Sequence, residues 1–335
     1  MTNKVYDKIK KFIKNNYKIL IVYSILIFLF TFKLDYEIYT PGGLSDLNDR
    51  IEIDNEYKNK GTFNLTYVNA KKGIIPFVLL SKVIPSWDLV SLDDERIENE
   101  DYEDILKRGQ IDLENVNEIA IKVAFDYAKE PYKIDKNDLT VYYVFESAKT
   151  DLKVGDIIKK VDGKSISTFE DLTNIINEHE VSDTLEFSVI NNGKEKIKTG
   201  TIYESDGKKI IGMYLVNAIK VSTDRTIKFN YSDNESGASG GLMSTLEIYN
   251  SIVKEDITKG KTIAGTGTMN LDGSVGEIGG VKYKLSGAVK NKADVFIVPA
   301  GNYEEAEALV KENNYKIKLI KAETFEGVIE SLKNI

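Results

Sequence analysis

Apolar and polar positions fall into three textures along the chain. From Ile19 to Phe32 the text reads ILIVYSILIFLFTF, with no charged side chain. Counting from Tyr17 to Leu34 gives 18 residues, about 27 Å of helix at ~1.5 Å per residue. That approaches the ~30 Å of a bilayer's hydrocarbon core, so the pattern predicts a membrane-spanning helix over 17–34. Lys18 and Lys33 flank it, where long cationic side chains reach toward water. A buried core helix would carry a polar stripe. A cleavable signal would end at a small-residue site, yet the first alanine of the chain is Ala70.

The second texture is mixed. Thr62–Val68 reads as a strand, and an apolar stretch punctuated by Pro76 and Pro85 fills Ile75–Val90. The charge-rich DDERIENEDYED at 93–104 reads as a solvated helix face, and Val116–Lys129 as an amphipathic helix. The third texture is regular. LTVYYVF (139–145) reads as a strand, Gly155-Asp156 as a turn, and Ile157–Val161 as a strand. Asp162-Gly163 makes a second turn, Phe169–Ile176 a short helix and Thr184–Ile190 a strand. Asn191-Asn192-Gly193 is a hairpin signal. Farther on, Ile227–Tyr231 reads as a strand, and Leu242, Leu246, Tyr249 and Val253 set a helical period. Thr262–Thr268 reads as a strand with a turn and return after it, and a helix opens at Ile278–Leu285.

Composition narrows the chemistry. The 335 residues are 42% apolar and carry a net charge of -8, enough apolar content for real cores and the wrong sign for a nucleic-acid surface. There is no cysteine and one histidine, His179. Thiol nucleophiles, thiolate metal sites and the usual zinc ligand sets are therefore excluded, and His179 reads as an exposed loop residue. Acid–base work near neutral pH falls to Lys, Asp, Glu or Tyr. No metal or other cofactor is expected. Six lysines against one aspartate precede residue 19, which the positive-inside rule places in the cytoplasm, with everything beyond residue 35 outside the cell.

Two segments supply candidate chemistry. Asp233-Asn234-Glu235-Ser236-Gly237-Ala238-Ser239-Gly240-Gly241 precedes the helix that starts near Leu242. Small residues let the chain turn and a substrate approach, and unpaired N–H groups at a helix start steady an oxyanion. Ser239 is the candidate nucleophile, with Ser236 a nearby alternative; a serine so placed is also an ordinary helix cap. Lys282 sits behind Gly279-Gly280 among Ile278, Val281 and Leu285. Burial and the helix start both disfavour its charged form, which suits a general base. Lys284, two positions on, is expected to point elsewhere and stay solvated.

Two resemblances follow from these motifs. The order G-D-x-I-x-x-V-D-G, helix, strand over 120–203 resembles a PDZ domain, although no glycine-rich carboxylate-binding loop stands before Tyr142. GASGG with LMSTLEIYN, then KTIAGTGTMNLDGSVGEIGGVKYKL, then ADVFIVPAGNYEEA, resembles the proteolytic domain of Lon-type peptidases. The whole resembles the membrane-anchored, PDZ-containing Lon-like serine proteases of Gram-positive bacteria. That resemblance implies a multidomain α+β fold: a cytoplasmic tail at 1–16, an anchor at 17–34, an extracellular region at 35–115, a PDZ-like domain at 120–203 and a proteolytic domain at 210–335. It implies a Ser/Lys dyad of Ser239 and Lys282 that cleaves peptides or exposed segments of secreted or membrane proteins, and it leaves room for a homo-oligomer. The family's usual G-P-S-A-G is G-A-S-G-G here, which implies a looser turn; an inactive peptide-binding scaffold is the alternative. Neither Gly163-Lys164-Ser165 nor Gly260-Lys261-Thr262 has the leading glycine of a phosphate loop, since Ile158 and Glu255 stand there. The chain is therefore expected to work without ATP.

Overall fold

An apolar run behind a lysine-rich start has nothing to end a helix, and α1 spans Thr2–Thr31. It reaches farther toward the N-terminus than the predicted 17–34 and stops before Lys33, where a strand (Lys33–Asp46) takes over. Its stretch Val5–Thr31 is long and apolar enough to cross a bilayer, and none of it is buried. The computed structural model describes residues 2–94, 96–97, 100–232 and 235–335. Two units emerge from the chain's contacts: Met1–Pro41 with Val68–Glu95, and Gly42–Tyr67 with Arg96–Ile335.

In the first unit, α1 leads into an antiparallel pairing in which Tyr36 faces Ser91 and Tyr39 faces Asp88. The chain from Val68 also runs along this strand, because Thr40 Oγ1 donates to Asn69 O and Gly73 lies tight against the Tyr36 backbone. A seven-residue helix, α2 (Ile75–Ser81), follows with a proline in its first turn. Of the predicted charged face at 93–104, Glu95, Glu98 and Asn99 lie outside the described residues.

The second unit is built around α3 (Tyr102–Ala128), a helix longer than the predicted 116–129. Asp101 caps it by accepting from Asp104 N. Glu100, just before it, is buried rather than solvated, because Arg108, about two turns on, meets both its oxygens at 2.5 and 2.6 Å. Behind α3, an antiparallel sheet runs in the order Met213–Thr223, Tyr132–Val144, Ile157–Val161, Thr184–Asn191, Lys194–Thr201. α4 (Phe169–Asn177) packs Leu172, Ile175 and Ile176 into the core of this domain, and Thr168 with Asp171 closes a capping box at its start. The predicted turns hold: Asp162-Gly163 and Asn192-Gly193 both adopt positive φ, as two-residue hairpins of this kind require. Met213–Thr223, within the 210–335 expected for the proteolytic domain, pairs with Tyr132–Val144 along its length. Sheet pairing between residues 69 to 91 positions apart leaves no trace in local periodicity.

The C-terminal domain is a parallel arrangement in which Thr262–Gly265 lies between Thr62–Leu65 and Val295–Pro299, with Lys318–Ala322 beyond. Around it lie α5 (Gly241–Ile252), α6 (Val281–Lys290), α7 (Tyr303–Glu312) and α8 (Phe325–Lys333). The segment Gly42–Tyr67, part of the extracellular region expected at 35–115, belongs to this body: Phe63 and Leu47 are fully buried in the same core as Leu242 and Ile263. α5 crosses α3 closely, because a β-carbon on Gly241 would fall 2.4 Å from Val116 Cγ2.

Candidate active site

Ser239 stands in a bend immediately before α5, and its surroundings tie that bend down on several sides. Gly237 N–H donates to Gly109 O of α3 at 2.8 Å, and Gly241 N–H donates to Ala238 O at 3.1 Å. The Ser239 carbonyl accepts from Gly267 N–H at 2.8 Å and from Thr266 Oγ1 at 3.0 Å. Leu242 N–H donates to Gly267 O, which joins the start of α5 to the same segment. The departures from G-P-S-A-G have local reasons. Ala238 packs against the core, and a β-carbon on Gly240 would meet Leu65 Cδ2 at 2.8 Å. The turn is tied to its neighbours by these hydrogen bonds. Asp233 and Asn234 lie outside the described residues, and Ser236 is exposed against Gly109.

The amine that reaches Ser239 belongs to Lys284. Its Nζ lies 2.9 Å from Ser239 Oγ and donates to Thr266 Oγ1 at 3.2 Å. Lys284 is only 4% exposed, and burial alone pushes its pKa down to about 8. Lys282, the lysine singled out from the sequence, instead lies half-buried with its Nζ 5.6 Å from the centre of the Tyr283 ring. The expectations for the two lysines are thus reversed, and helix geometry explains why. Gly280, in the left-handed conformation, opens α6, and Val281, Leu285 and Ala288 form its core stripe. Lys284 falls at i+3 from Val281 and i−4 from Ala288, about 40° from Ala288 on one edge of that stripe, while Lys282 falls about 60° beyond Leu285 on the other side. The two glycines drew attention to Lys282, whereas the amine beside Ser239 is that of Lys284.

Thr266 went unnoticed in the sequence. It follows the central strand Thr262–Gly265, is fully buried, and touches both Ser239 and Lys284. His179 lies in the antiparallel-sheet domain, where Nδ1 is 2.9 Å from Ile175 O and Nε2 is 3.3 Å from Asp162. Among the described residues, no group of three or more His, Cys, Asp or Glu is arranged to hold a metal ion. A cavity of about 1160 Å³ lies between α3, the antiparallel sheet and the segment leading to Ser239, with Asn117, Asp138, Tyr231 and Glu235 among its lining.

A buried amine against a hydroxyl at a glycine-rich helix start is equipped for nucleophilic attack on a carbonyl. Comparison with protein families agrees with this chemistry. Residues 234–334 match the family described as Lon protease (S16) C-terminal proteolytic domain, and residues 120–199 match the PDZ domain. Among solved structures, the PDZ domain of an SdrC-like protein of Listeria monocytogenes is 21% identical, covering 25% of this chain and 93% of that one, with a TM-score of 0.23. The corresponding domain from Listeria innocua is 22% identical over 24% of this chain and 93% of that one, with a TM-score of 0.22. A comparison with curated proteins gave no match.

Proposed function

We propose, from the premise that residues 234–334 are a Lon-type (S16) serine peptidase domain carried in one chain with a PDZ domain, that Ser239 is the nucleophile and Lys284 the general base of a membrane-anchored endopeptidase. The Lon family uses a Ser–Lys dyad, and the 2.9 Å contact between Lys284 Nζ and Ser239 Oγ carries the assignment here. With its pKa lowered to about 8, a useful share of the amine is neutral near pH 7–8 and free to take a proton.

The steps follow from the geometry. Neutral Lys284 accepts the Ser239 hydroxyl proton as Oγ attacks the substrate's peptide carbonyl. The amides of Gly241 and Leu242 are engaged by Ala238 O and Gly267 O, and we assign those of Ser239 and Gly240 as the donors to the developing oxyanion. Protonated Lys284 then gives its proton to the leaving amine. Water, deprotonated by the same lysine, cleaves the acyl-enzyme. Thr266 positions the amine throughout.

The substrates are peptides or exposed segments of secreted and membrane proteins. α1 crosses the bilayer with its lysine-rich end in the cytoplasm, and the catalytic domain stands outside the cell. Cleavage needs no ATP: Gly163-Lys164-Ser165 lies in a hairpin and Gly260-Lys261 leads into a strand, whereas a phosphate loop leads from strand into helix. The PDZ domain takes an extended peptide by strand addition. Met213–Thr223 is the edge strand of its sheet, entered through Gly212 at φ +86°, and is the edge to which such a peptide adds.

A serine-directed fluorophosphonate probe tests the core of this reading. It labels the full chain in detergent and fails on Ser239→Ala. Comparison of secreted and envelope proteins from cells with wild type and with Ser239→Ala then identifies termini that depend on the serine. Equal labelling of both proteins, or identical termini in both cells, would overturn it.

A further inference from the structure

α2 is an apolar helix that leaves part of its surface open. It reads IPFVLLS, and none of its residues is buried. Leu79 is 59% exposed, Leu80 43%, and Val83 just beyond is 77% exposed. Scattered apolar residues on a surface are ordinary, but a contiguous group marks an interaction site.

Its position in the fold selects the partner. Thr40 Oγ1 donates to Asn69 O, and Gly73 packs on the Tyr36 backbone, so the strand from Val68 runs antiparallel to the one that leaves α1. Two residues past Gly73, Ile75 begins α2 level with Leu34, three residues beyond the end of α1 at Thr31. α2 and α1 pack together within this unit. The composition is that of a membrane interface, where apolar side chains are joined by aromatic rings and lysines. Trp87 packs edge-on against Phe77 at 6.1 Å, Lys71 Nζ lies 5.9 Å from the Phe77 ring centre, and Lys33 and Lys82 are exposed nearby in the chain.

We propose that α2 and the turn through Trp87 dip into the bilayer interface beside the exit of α1, with Lys33, Lys71 and Lys82 set toward anionic headgroups. The inference rests on the reading of α1 as a membrane anchor. The span then does not act as a free tether: a second lipid contact orients the outer face of the first unit against the membrane.

Trp87 is the only tryptophan in the chain, which makes the test direct. The full chain is reconstituted in vesicles of phosphatidylcholine and phosphatidylglycerol, some with acyl chains brominated near the headgroup. Flotation after an alkaline wash reports α1 separately. Trp87 emission is expected to be quenched by bromolipid and shielded from aqueous acrylamide. In Leu79→Ser/Leu80→Ser/Val83→Ser the bromolipid quenching falls about twofold or more and acrylamide quenching rises, while flotation and cleavage of a soluble peptide are unchanged. A wild-type chain that floats but shows no bromolipid quenching overturns the proposal. So does protection from acrylamide without bromolipid quenching, which means that protein covers the face. A chain that fails to float overturns the anchor itself.

Discussion

Lys282 and Lys284 leave the same turn of α6 for different surroundings: the first lies over the Tyr283 ring, and the second ends 2.9 Å from the hydroxyl of Ser239. Helical rotation of about 200° separates them, so the two lysines make a matched pair for mutation. Lys284→Ala is expected to lower kcat/KM by ~10²–10⁴-fold, the usual range for a general base. Lys282→Ala leaves it within about twofold. Steady-state cleavage of a fluorogenic peptide by both variants checks this, and equal losses would remove Lys284 from its role.

The lowered pKa of Lys284, about 8, sets the pH dependence. Activity is expected to rise with pH through about 8 and level off above, as the amine loses its proton. The same group makes stability depend on pH. Its folded pKa lies below the unfolded value of ~10.4, so between pH 8 and about 10.4 the unfolded chain binds more protons and stability rises with pH. Below pH 8 the folded state bears a cost on the order of 3 kcal/mol for a charged amine in the core. Lys284→Met should therefore abolish activity yet raise the melting temperature at pH 7, with the gain shrinking as pH approaches 10.

Thr266 holds Ser239 and Lys284 together through one hydroxyl, donating to the Ser239 carbonyl and accepting from Lys284 Nζ. Thr266→Val keeps the volume and removes both contacts. The expected loss in kcat is roughly 10–100-fold, from about 1–3 kcal/mol of hydrogen bonding, with KM little changed. Thr266→Ser should recover most of it. A loss in KM alone, with kcat intact, would contradict a positioning role.

Glu247 lies on the buried side of α5, with Oε1 accepting from Ser251 Oγ at 3.1 Å and Oε2 without a partner. Burial first, then the acidic neighbours Asp46, Glu56 and Asp256, raise its pKa to about 7. The linkage has the opposite sign to that of Lys284. Between about pH 4.3 and 7 the folded state binds the extra proton, so stability falls as pH rises. Glu247→Gln is expected to raise the melting temperature more at pH 8 than at pH 5; an equal effect at both values would rule out this titration.

Part of the candidate site was legible without coordinates. Ser239 was singled out by its small neighbours and by the helix period that starts at Leu242, and both signals are local. The hairpins at Asp162-Gly163 and Asn192-Gly193 were equally readable, because positive φ at two successive positions demands those residue types. Lys284 was harder: its place beside the Val281, Leu285 and Ala288 stripe was visible, but a lysine at the edge of such a stripe ordinarily signals a solvated position. Its burial depends on the strand that ends at Gly265 and on Thr266, 18 positions earlier in the chain.

Local chemistry thus set the elements of this protein, from the apolar span of α1 through the turns to the glycine-rich bend that displays a serine, since each depends on neighbours within a few residues. Long-range pairing set the rest. Thr62–Leu65 joined Thr262–Gly265, Met213–Thr223 closed on Tyr132–Val144, and α6 turned Lys284 rather than Lys282 toward the hydroxyl. No window of sequence contains those partners together, and a lysine loses its charge readily only where distant segments have excluded water from it.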